Sequence, residues 1–191
     1  MPHGGTILRA AENWIDYELI DATDGNRLER WKDTILVRPD PQVIWKNQRT
    51  SPLWDKANAS GGGKWEYRRR MPERWQIRYG DLNLIVSPTG FKHTGVFPEQ
   101  AVNWDAYRRL IEGAGRPIKV LNLFGYTGGA SLACAAAGAS VCHVDASKGM
   151  VAWGRENAAA SGLSDRPIRW IVDDCGKFVA REIRRGVRYD G

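Results

Sequence analysis

A glycine-rich turn and two acidic positions recur at regular places in the second half of the chain. The turn occupies residues 125–129 and directly follows an apolar run. Asp145 comes at the end of the next apolar run, and the pair Asp173 and Asp174 follows a third. Bare backbone and carboxylates at the ends of successive strands are the groups with which α/β proteins hold a nucleoside. These positions therefore predict a nucleotide-type ligand.

The turn lacks the residues that two common phosphate-binding loops require. A P-loop needs G-x-x-x-x-G-K-[ST], and no lysine follows these glycines. A dinucleotide fingerprint needs G-x-G-x-x-G, whereas Thr127 and Ala130 occupy its second and third glycine positions when counted from Gly125. The turn therefore predicts close approach of a ligand to the backbone without a grip on phosphate, and the ligand is expected to be uncharged there.

The acidic positions indicate what the rest of the ligand contains. Asp145 stands where a carboxylate usually accepts both ribose hydroxyls, and one carboxylate of Asp173 and Asp174 can accept a hydrogen bond from an adenine amino group. A glycine turn, a ribose acid and an adenine acid at three successive strand ends are typical of S-adenosylmethionine in a class I methyltransferase. The alternative is that the aspartates only cap the helices that follow them.

Alternating strands and helices are predicted to position these residues. Helical spacing of apolar residues predicts a first helix over 99–112. The pattern then predicts strand, helix, strand, helix, strand and helix, over 118–124, 128–137, 140–144, 148–160, 168–172 and 175–185. This βαβαβα order is the N-terminal half of a doubly wound, Rossmann-like methyltransferase sheet. Cys142 and His143 are expected to be buried in it.

The first half of the chain has a different pattern. Residues 17–87 consist of short β-type runs separated by turn formers, which predicts a small antiparallel β unit. We expect its tryptophans to build the core rather than to stack on bases, because a small sheet needs bulky side chains. We therefore predict a small β-rich domain at 1–90, a candidate for RNA contact, and a partial S-adenosylmethionine-binding domain at 91–191. The six tryptophans of the first half are Trp14, Trp31, Trp45, Trp54, Trp65 and Trp75.

Composition sets further bounds on the function. The formal net charge is +6, which favours polyanionic partners without identifying one. The three cysteines show no C-x-x-C spacing, so neither a disulfide framework nor a zinc site is predicted. No apolar run approaches the roughly 20 residues that span a bilayer, and the N-terminus lacks a secretory signal. We expect a cytoplasmic protein without membrane contact.

The motifs at the three strand ends read LNLFGYTGG, VDAS and DDCGKF. They closely resemble the signatures L-N-x-F-[SG]-Y-T-G, V-D-x-S and D-[VAC]-x-x-F of RNA methyltransferases related to the large-subunit ribosomal RNA cytosine-C5 enzymes. The preceding FKHTGVFPEQ is similar to that family's K-x-G-x-x-x-D-Q-R segment, which joins a small β domain to the catalytic domain. The sequence departs from the pattern at residues 97–100, where Phe-Pro-Glu-Gln replaces the usual Asp-Gln-Arg.

The resemblance implies S-adenosylmethionine as cofactor and RNA, ribosomal in this family, as substrate. It also implies roles for individual residues: the methionine part lies against the glycine turn, Asp145 holds the ribose, and Asp174 meets the adenine with Cys175 beside it. Gln100 is expected to touch the same cofactor. Plain packing remains the alternative for the two aromatic residues of the turn. The residues expected to wall the methionine part are Phe124, Gly125, Tyr126 and Thr127, and Gly128 is also expected to bind the cofactor.

A basic segment at 64–79 is the best local candidate for RNA contact. It interleaves basic side chains with tryptophan and tyrosine, a mixture that suits phosphate contact and base stacking. The alternative is a twisted hairpin with a solvated basic face and a buried aromatic one. The predicted phosphate contacts are Lys64, Arg68, Arg69, Arg70 and Arg74.

The family's next motif, a strand ending in D-P-P, is expected after residue 191, so no catalytic residue is predicted within this sequence. The chain is expected to be an inactive fragment without its C-terminal half, and the unpaired edge of the strand at 118–124 is expected to favour self-association. Three alternative functions remain open: a methyltransferase for a small molecule or protein, an RNA-binding module without activity, and a nicotinamide oxidoreductase. The last would need glycines that the turn lacks.

Overall fold

The computed structural model describes residues 10–62, 64–90 and 93–191. None of the helices in these ranges combines the length and apolar character needed to cross a membrane. The N-terminal part consists of strands and one short 3-10 helix, Pro52–Trp54. The strands are β1 (Tyr17–Thr23), β2 (Asn26–Trp31), β3 (Thr34–Pro39), β4 (Ala59–Gly61), β5 (Trp65–Tyr67), β6 (Trp75–Tyr79) and β7 (Leu82–Val86).

The N-terminal strands form a five-stranded sheet and a separate hairpin. The sheet has the order β1-β2-β3-β4-β5, and β6 pairs with β7 as a two-stranded sheet, with Trp14 forming an isolated bridge to Tyr79 of β6. The predicted antiparallel pairing is correct for every pair except β3 with β4, which run parallel. Parallel neighbours need a connection of a dozen or more residues, and the segment between Pro39 and Ala59 supplies it.

The second part has the predicted alternation of strands and helices, with bounds within two residues of those expected. A short 3-10 helix at Pro98–Gln100 leads into the first α-helix. The three strands form a parallel sheet in the order β10-β9-β8, which confirms the Rossmann-like class. The elements are α1 (Ala101–Glu112), β8 (Lys119–Leu123), α2 (Gly129–Ala136), β9 (Ser140–Asp145), α3 (Lys148–Ala160), β10 (Ile168–Val172) and α4 (Cys175–Arg184).

The tryptophans of the first half mostly pack as predicted. Trp31 and Trp54 are buried, while three others are half-buried against the main core: Trp14, Trp65 and Trp75. Trp45 differs, since 45% of it is exposed and its indole N–H donates to the carbonyl of Ala22. The expectation of a core role is therefore correct for five of the six residues.

One hydrophobic core extends across both parts of the chain. Ile77 and Leu84 of the hairpin are buried in the same cluster as Trp104 of α1, Leu132 of α2 and Ala158 of α3. Because these side chains come from the hairpin and from three helices, neither part buries its apolar face alone. The hairpin is thus a structural neighbour of the parallel sheet and its helices.

Helix α3 satisfies the free edge of the hairpin with side chains. The backbone N–H of Ile85 donates to Oδ1 of Asn157 at 2.8 Å, and that of Asn83 donates to Oγ of Ser161 at 2.9 Å. The indole of Trp153 donates to the Ile85 carbonyl at 3.0 Å. A strand edge with such partners cannot recruit another strand, so the hairpin ends at β7.

The outer edge of β8 is partly covered by the last residues of the chain. The N–H of Leu121 donates to the carbonyl of Gly191 at 2.8 Å, and the N–H of Asp190 donates to the carbonyl of Lys119 at 2.7 Å. The expected unpaired edge is therefore wrong for Lys119 to Leu121.

Replacement of Asn157 by leucine tests the link between the hairpin and the second part. Asn157 is fully buried and also donates from Nδ2 to the carbonyl of Thr127 at 2.9 Å. Asn157→Leu should lower the free energy of unfolding by about 2–5 kcal/mol, because two buried backbone groups lose their partner. Denaturant unfolding measures the change. The exposed control Asn103→Ala should stay within about 0.5 kcal/mol, and equal effects of the two changes would contradict the proposed link.

Candidate cofactor-binding site

The turn after β8 has an unusual backbone. Phe124 and Tyr126 have φ of 53° and 51°, in the left-handed region that non-glycine residues rarely adopt. Each such residue costs about 1–3 kcal/mol, which the surrounding structure must offset. Left-handed residues of this kind concentrate at ligand sites, so the turn is a candidate site on backbone geometry alone.

The turn can adopt this path because Gly125 has no side chain. A Cβ at this position would lie 2.5 Å from Nδ1 of His143, whose ring is fully buried directly beneath it. No substitution fits without displacing the imidazole. The glycine therefore allows β8 to lead into the turn across the face of β9.

A strap of residues 93–97 holds the turn from the other side. The hydroxyl of Thr127 donates to the carbonyl of Gly95. Burial raises the pKa of Tyr126, and a hydrogen bond from the Gly95 backbone partly offsets that rise. Gly95 has φ of 96°, and a Cβ there would lie 2.5 Å from the Trp153 ring. The ring of Phe97 lies 5.3 Å from that of Tyr126. The strap thus forms one wall of the site.

Asp145 joins the turn to the next strand end. Its Oδ2 accepts from the N–H of Tyr126 at 2.9 Å, and its Oδ1 accepts from the N–H of Ser147 at 2.8 Å. Ser147, not Asp145, is the N-cap of α3, with its hydroxyl accepting from the N–H of Met150. The alternative that Asp145 only caps α3 is therefore wrong. Each carboxylate oxygen keeps a further lone pair for a ligand hydroxyl.

The acids after β10 are engaged differently. Asp174 is the N-cap of α4, with Oδ1 accepting from the N–H of Lys177 at 2.8 Å, so it does cap the helix that follows it. Asp174 is exposed, and its Oδ2 has no partner among the described residues. Asp173 instead forms an ion pair with Arg181, whose hydrogen bond lowers the pKa of the Asp173 carboxyl. Of the two acids, only Asp174 has a carboxylate oxygen without a partner in the described part of the chain.

Cys175 packs behind the turn. It is buried, and its Sγ accepts from the N–H of Phe124 at 3.3 Å. The thiol itself lies 3.8 Å from the carbonyl of Val144. Because the buried sulfur accepts from the strained backbone of Phe124, Cys175 helps to position the turn and faces away from solvent.

A cavity of about 280 Å³ opens in front of the turn. Five of the predicted residues line it, whereas Gly128, Asp145, Asp174 and Cys175 do not. The ring of Phe124 is 78% exposed, so plain packing does not explain it, while Tyr126 is half-buried. The five predicted lining residues are Gln100, Phe124, Gly125, Tyr126 and Thr127.

Seven further lining residues are absent from the predicted set: Val96, Phe97, Trp104, Tyr107, Asn122, Gly129 and Ala130. Asn122 lies in the L-N-x-F motif, and its Nδ2 donates to the hydroxyl of Ser131 at 2.9 Å. Phe97 belongs to the segment that departs from the family pattern, and Trp104 belongs to the apolar stripe of α1. Because Asn122 belongs to this motif, the sequence offered a signal from which its place in the site could have been predicted. The walls formed by Phe97 and Trp104 depend on tertiary packing.

A larger cavity of about 510 Å³ adjoins the first one. It lies between α1 and the outer edge of β8, next to Asp190 and Gly191, and its lining is mainly apolar. Gly125, Tyr126 and Thr127 do not line it. The smaller cavity is therefore the candidate cofactor site.

His143 supports the site from below. Its Nδ1 lies 3.0 Å from the hydroxyl of Ser131, its ring centroid lies 4.6 Å from that of Trp170, and its Nε2 has no partner among the described residues. Burial lowers the pKa of the imidazole from 6.5 to about 4. The ring under Gly125 is therefore neutral at pH 7. The predicted burial of His143 and Cys142 is correct.

The predicted RNA contacts are all exposed, but they differ in their surroundings. Arg74 pairs with Glu156 at 2.5 Å and lies over the ring of Trp153, which leaves it engaged within the chain. Arg68 lies 3.5 Å from Glu66, a pair in which both side chains are exposed. In the described part of the chain, no carboxylate pairs with the remaining three: Lys64, Arg69 and Arg70.

Most aromatic residues of the basic segment have structural partners. The indoles of Trp65 and Trp75 donate to the carbonyls of Thr89 and Trp31, and Tyr79 is buried. Tyr67 is 61% exposed. Segment 64–79 is not a hairpin, since Trp65–Tyr67 pairs with β4 and Trp75–Tyr79 pairs with β7, so that part of the alternative is wrong. Its expectation of packed aromatic rings is correct for three of the four, and Tyr67 alone is free to stack on a base.

Metal-binding side chains do not converge in the described residues. No group of three or more His, Cys, Asp or Glu side chains there could hold an ion. The three cysteines are buried and free.

The fold and the site define a class of protein. A solved S-adenosylmethionine-dependent methyltransferase from Agrobacterium tumefaciens is 44% identical, with a TM-score of 0.88 over 93% of this chain and 58% of that one. A second structure, provisionally assigned as a methyltransferase and complexed with S-adenosylhomocysteine, has a TM-score of 0.72 at 20% identity, over 93% and 50% of the two chains. The chain is thus a homologue of S-adenosylmethionine-dependent methyltransferases, which confirms the predicted resemblance.

The curated relatives are more specific in name. Ribosomal RNA large subunit methyltransferase K/L of Shewanella baltica strain OS155 is 37% identical over 181 residues, which cover 89% of this chain. The chain spans about a quarter (24%) of the length of that relative. No family model matches the chain.

The buried imidazole makes stability depend on pH. Below pH 6.5 the unfolded chain protonates His143, whereas the folded imidazole stays neutral to about pH 4. The free energy of unfolding should therefore fall as pH decreases, by about 2 kcal/mol between pH 7 and pH 5 from this group. Denaturant unfolding of the wild type and of His143→Asn at both pH values measures the difference. The same pH dependence in both proteins would show that His143 is not the responsible group.

Proposed function

We propose that this chain binds S-adenosylmethionine in the cavity of about 280 Å³ and is part of an enzyme that methylates a base in RNA. The observation that carries the proposal is the hydrogen bond from the N–H of Tyr126 to Asp145, which joins the glycine turn to the acid of the next strand. Two strand ends are thereby held as one binding edge. The cofactor, when bound, supplies an electrophilic methyl group.

The groups at the site suit the parts of this cofactor. Gln100 and Asn122 bring amide groups to an otherwise largely apolar cavity, which suits a methionine portion with amino and carboxylate ends. Asp145 would accept from the ribose hydroxyls, and the free oxygen of Asp174 would accept from the adenine amino group. Gly125 lines the cavity with backbone alone, because the His143 ring occupies the place that its side chain would take.

Ribosomal RNA is the proposed substrate. The support comes from the name of the curated relatives, the net charge of +6 and the exposed basic side chains after β4. We also propose the division into a β-rich part at 1–90 and a methyltransferase part at 91–191, and a cytoplasmic location. We assign no catalytic role in methyl transfer to any residue of this sequence.

The turn argues against the oxidoreductase alternative. It lacks the glycine spacing that brings a pyrophosphate onto a helix N-terminus, and its partners hold it in another path. S-adenosylhomocysteine should therefore bind and NAD should not. Calorimetry with both ligands distinguishes the two functions.

Asp145→Asn tests the cofactor assignment. The amide keeps the size of the side chain but replaces one acceptor by a donor group, so ribose hydroxyls lose a charge-assisted bond of about 1.5–3 kcal/mol. We expect S-adenosylhomocysteine to bind at least about tenfold more weakly, as measured by calorimetry. Asp165→Asn, at an exposed position outside the site, should bind normally. Unchanged affinity in a folded Asp145→Asn protein would remove Asp145 from the site.

Neutralisation of three free basic residues tests RNA binding. If Lys64, Arg69 and Arg70 contact phosphates, the triple change to glutamine should reduce the slope of log affinity against log salt by about two units. Cofactor affinity should not change, because these residues lie outside the cavity. The matched control replaces three other exposed arginines: Arg109, Arg184 and Arg188. An equal effect of the control would show that only net charge matters.

A further inference from the structure

A third cavity of about 310 Å³ lies on the five-stranded sheet, away from the candidate cofactor site. Its lining is mixed in character and contains two arginines, Arg49 and Arg68, with the neutral polar side chains of Asn26 and Ser60. None of its lining residues belongs to the glycine turn or to the strap. We refer to this cavity as the basic groove.

The basic groove lies on the outer face of the sheet. Along β3, Leu36 and Arg38 are buried, whereas Val37 between them lines the groove. Because successive side chains of a strand point to opposite faces, the groove and the main hydrophobic cluster around Leu36 are on different sides of β3. Leu28, which pairs with Val37, is buried on the groove side. The pairing of Val37 with Ser60 on β4 places both residues on the groove side.

Arg49 is held in place without a carboxylate partner. Its guanidinium carbon lies 4.5 Å from the ring centroid of Trp54, and no carboxylate of the described residues pairs with it. Trp54 is 3% exposed, and its indole donates to Oδ2 of Asp21 at 2.8 Å. Stacking uses the face of the guanidinium and leaves the N–H groups at its edge free. Those groups match the two oxygens of a phosphate.

Arg68 supplies a second cation with a replaceable partner. Its side chain lies 3.5 Å from Glu66, and the two side chains are 44% and 71% exposed. An exposed ion pair of this kind is worth about 0–1 kcal/mol, so a ligand phosphate can replace the carboxylate. The backbone of Arg68 is fixed by a 2.8 Å hydrogen bond from its N–H to the Asn58 carbonyl. The two exposed residues that follow, Arg69 and Arg70, add positive charge.

We propose that the basic groove binds a phosphodiester group of RNA, with Arg49 as the bidentate ligand and Arg68 as the second cation. This inference rests on the proposed function, because RNA is the polyanion that the enzyme would act on. The groove then anchors the RNA backbone on the face of the sheet opposite the core, at a point separate from methyl transfer. The groove would not distinguish base sequences, because its N–H donors would bind phosphate oxygens rather than the edges of bases.

The test compares three variants of the full chain in binding to a structured RNA across a range of salt concentrations. Arg49→Gln with Arg68→Gln should weaken binding about five- to twentyfold at low salt and reduce the salt slope by about 1.4 units. Arg49→Lys keeps the charge but loses the planar fork, and should weaken binding about two- to fivefold with little change in slope. Arg184→Gln with Arg188→Gln is the charge-matched control and should bind almost as the wild type.

Two further measurements separate the possible failures. Thermal unfolding and S-adenosylhomocysteine affinity should be unchanged in the groove variants, which excludes misfolding as the cause of lost binding. Wild-type affinity for RNA in a folded double glutamine variant would overturn the groove and leave the proposed function intact. No RNA binding by the wild type would overturn the RNA substrate and the groove together. Equal binding of polyglutamate would show general attraction of polyanions and overturn the phosphate site.

Discussion

The close contact between Gly125 and the His143 ring is the constraint on which the candidate site depends. A Cβ at Gly125 would lie 2.5 Å from the imidazole, so only glycine lets the chain leave β8 along this path. The ring fits there because it is neutral, since burial lowers its pKa to about 4. A charged imidazole would need a partner for each N–H, and Nε2 has none in the described structure. The bare turn and the buried histidine thus require each other.

The β-rich part contributes to the same site through contacts that its sequence does not reveal. Asn157 links the edge of β7 to the carbonyl of Thr127, and Gly95 accepts from the Thr127 hydroxyl. Farther along the sheet, Glu29 is fully buried and receives a bidentate pair of hydrogen bonds from Arg38 at 2.6 and 2.8 Å. The charge of Arg38 reaches the Tyr126 hydroxyl and opposes the rise in its pKa. The hairpin and the sheet therefore influence the turn through Asn157 and through the charge of Arg38, although none of their residues lines the cavity.

Sequence predicted what local patterns determine. The helical period and the strand–helix alternation placed every element from α1 to α4, because apolar spacing and turn glycines are local signals. Asp145 could be predicted from the sequence because the number of residues between it and the turn follows from the length of one βα unit. The parallel pairing of β3 with β4, the exposed position of Trp45 and the cavity walls at Phe97 and Trp104 were not predictable, since each depends on contacts between segments distant in sequence.

Strain in the turn explains why so many groups converge on it. Phe124 and Tyr126 each adopt a left-handed backbone at a cost of about 1–3 kcal/mol. The N–H of each residue has a specific acceptor, Cys175 Sγ for the first and Asp145 Oδ2 for the second, so the strained path is fixed before any ligand arrives. A site held in this way loses little further entropy on binding. The same path leaves the Phe124 ring 78% exposed at the cavity, because its backbone cannot turn the side chain back into the core.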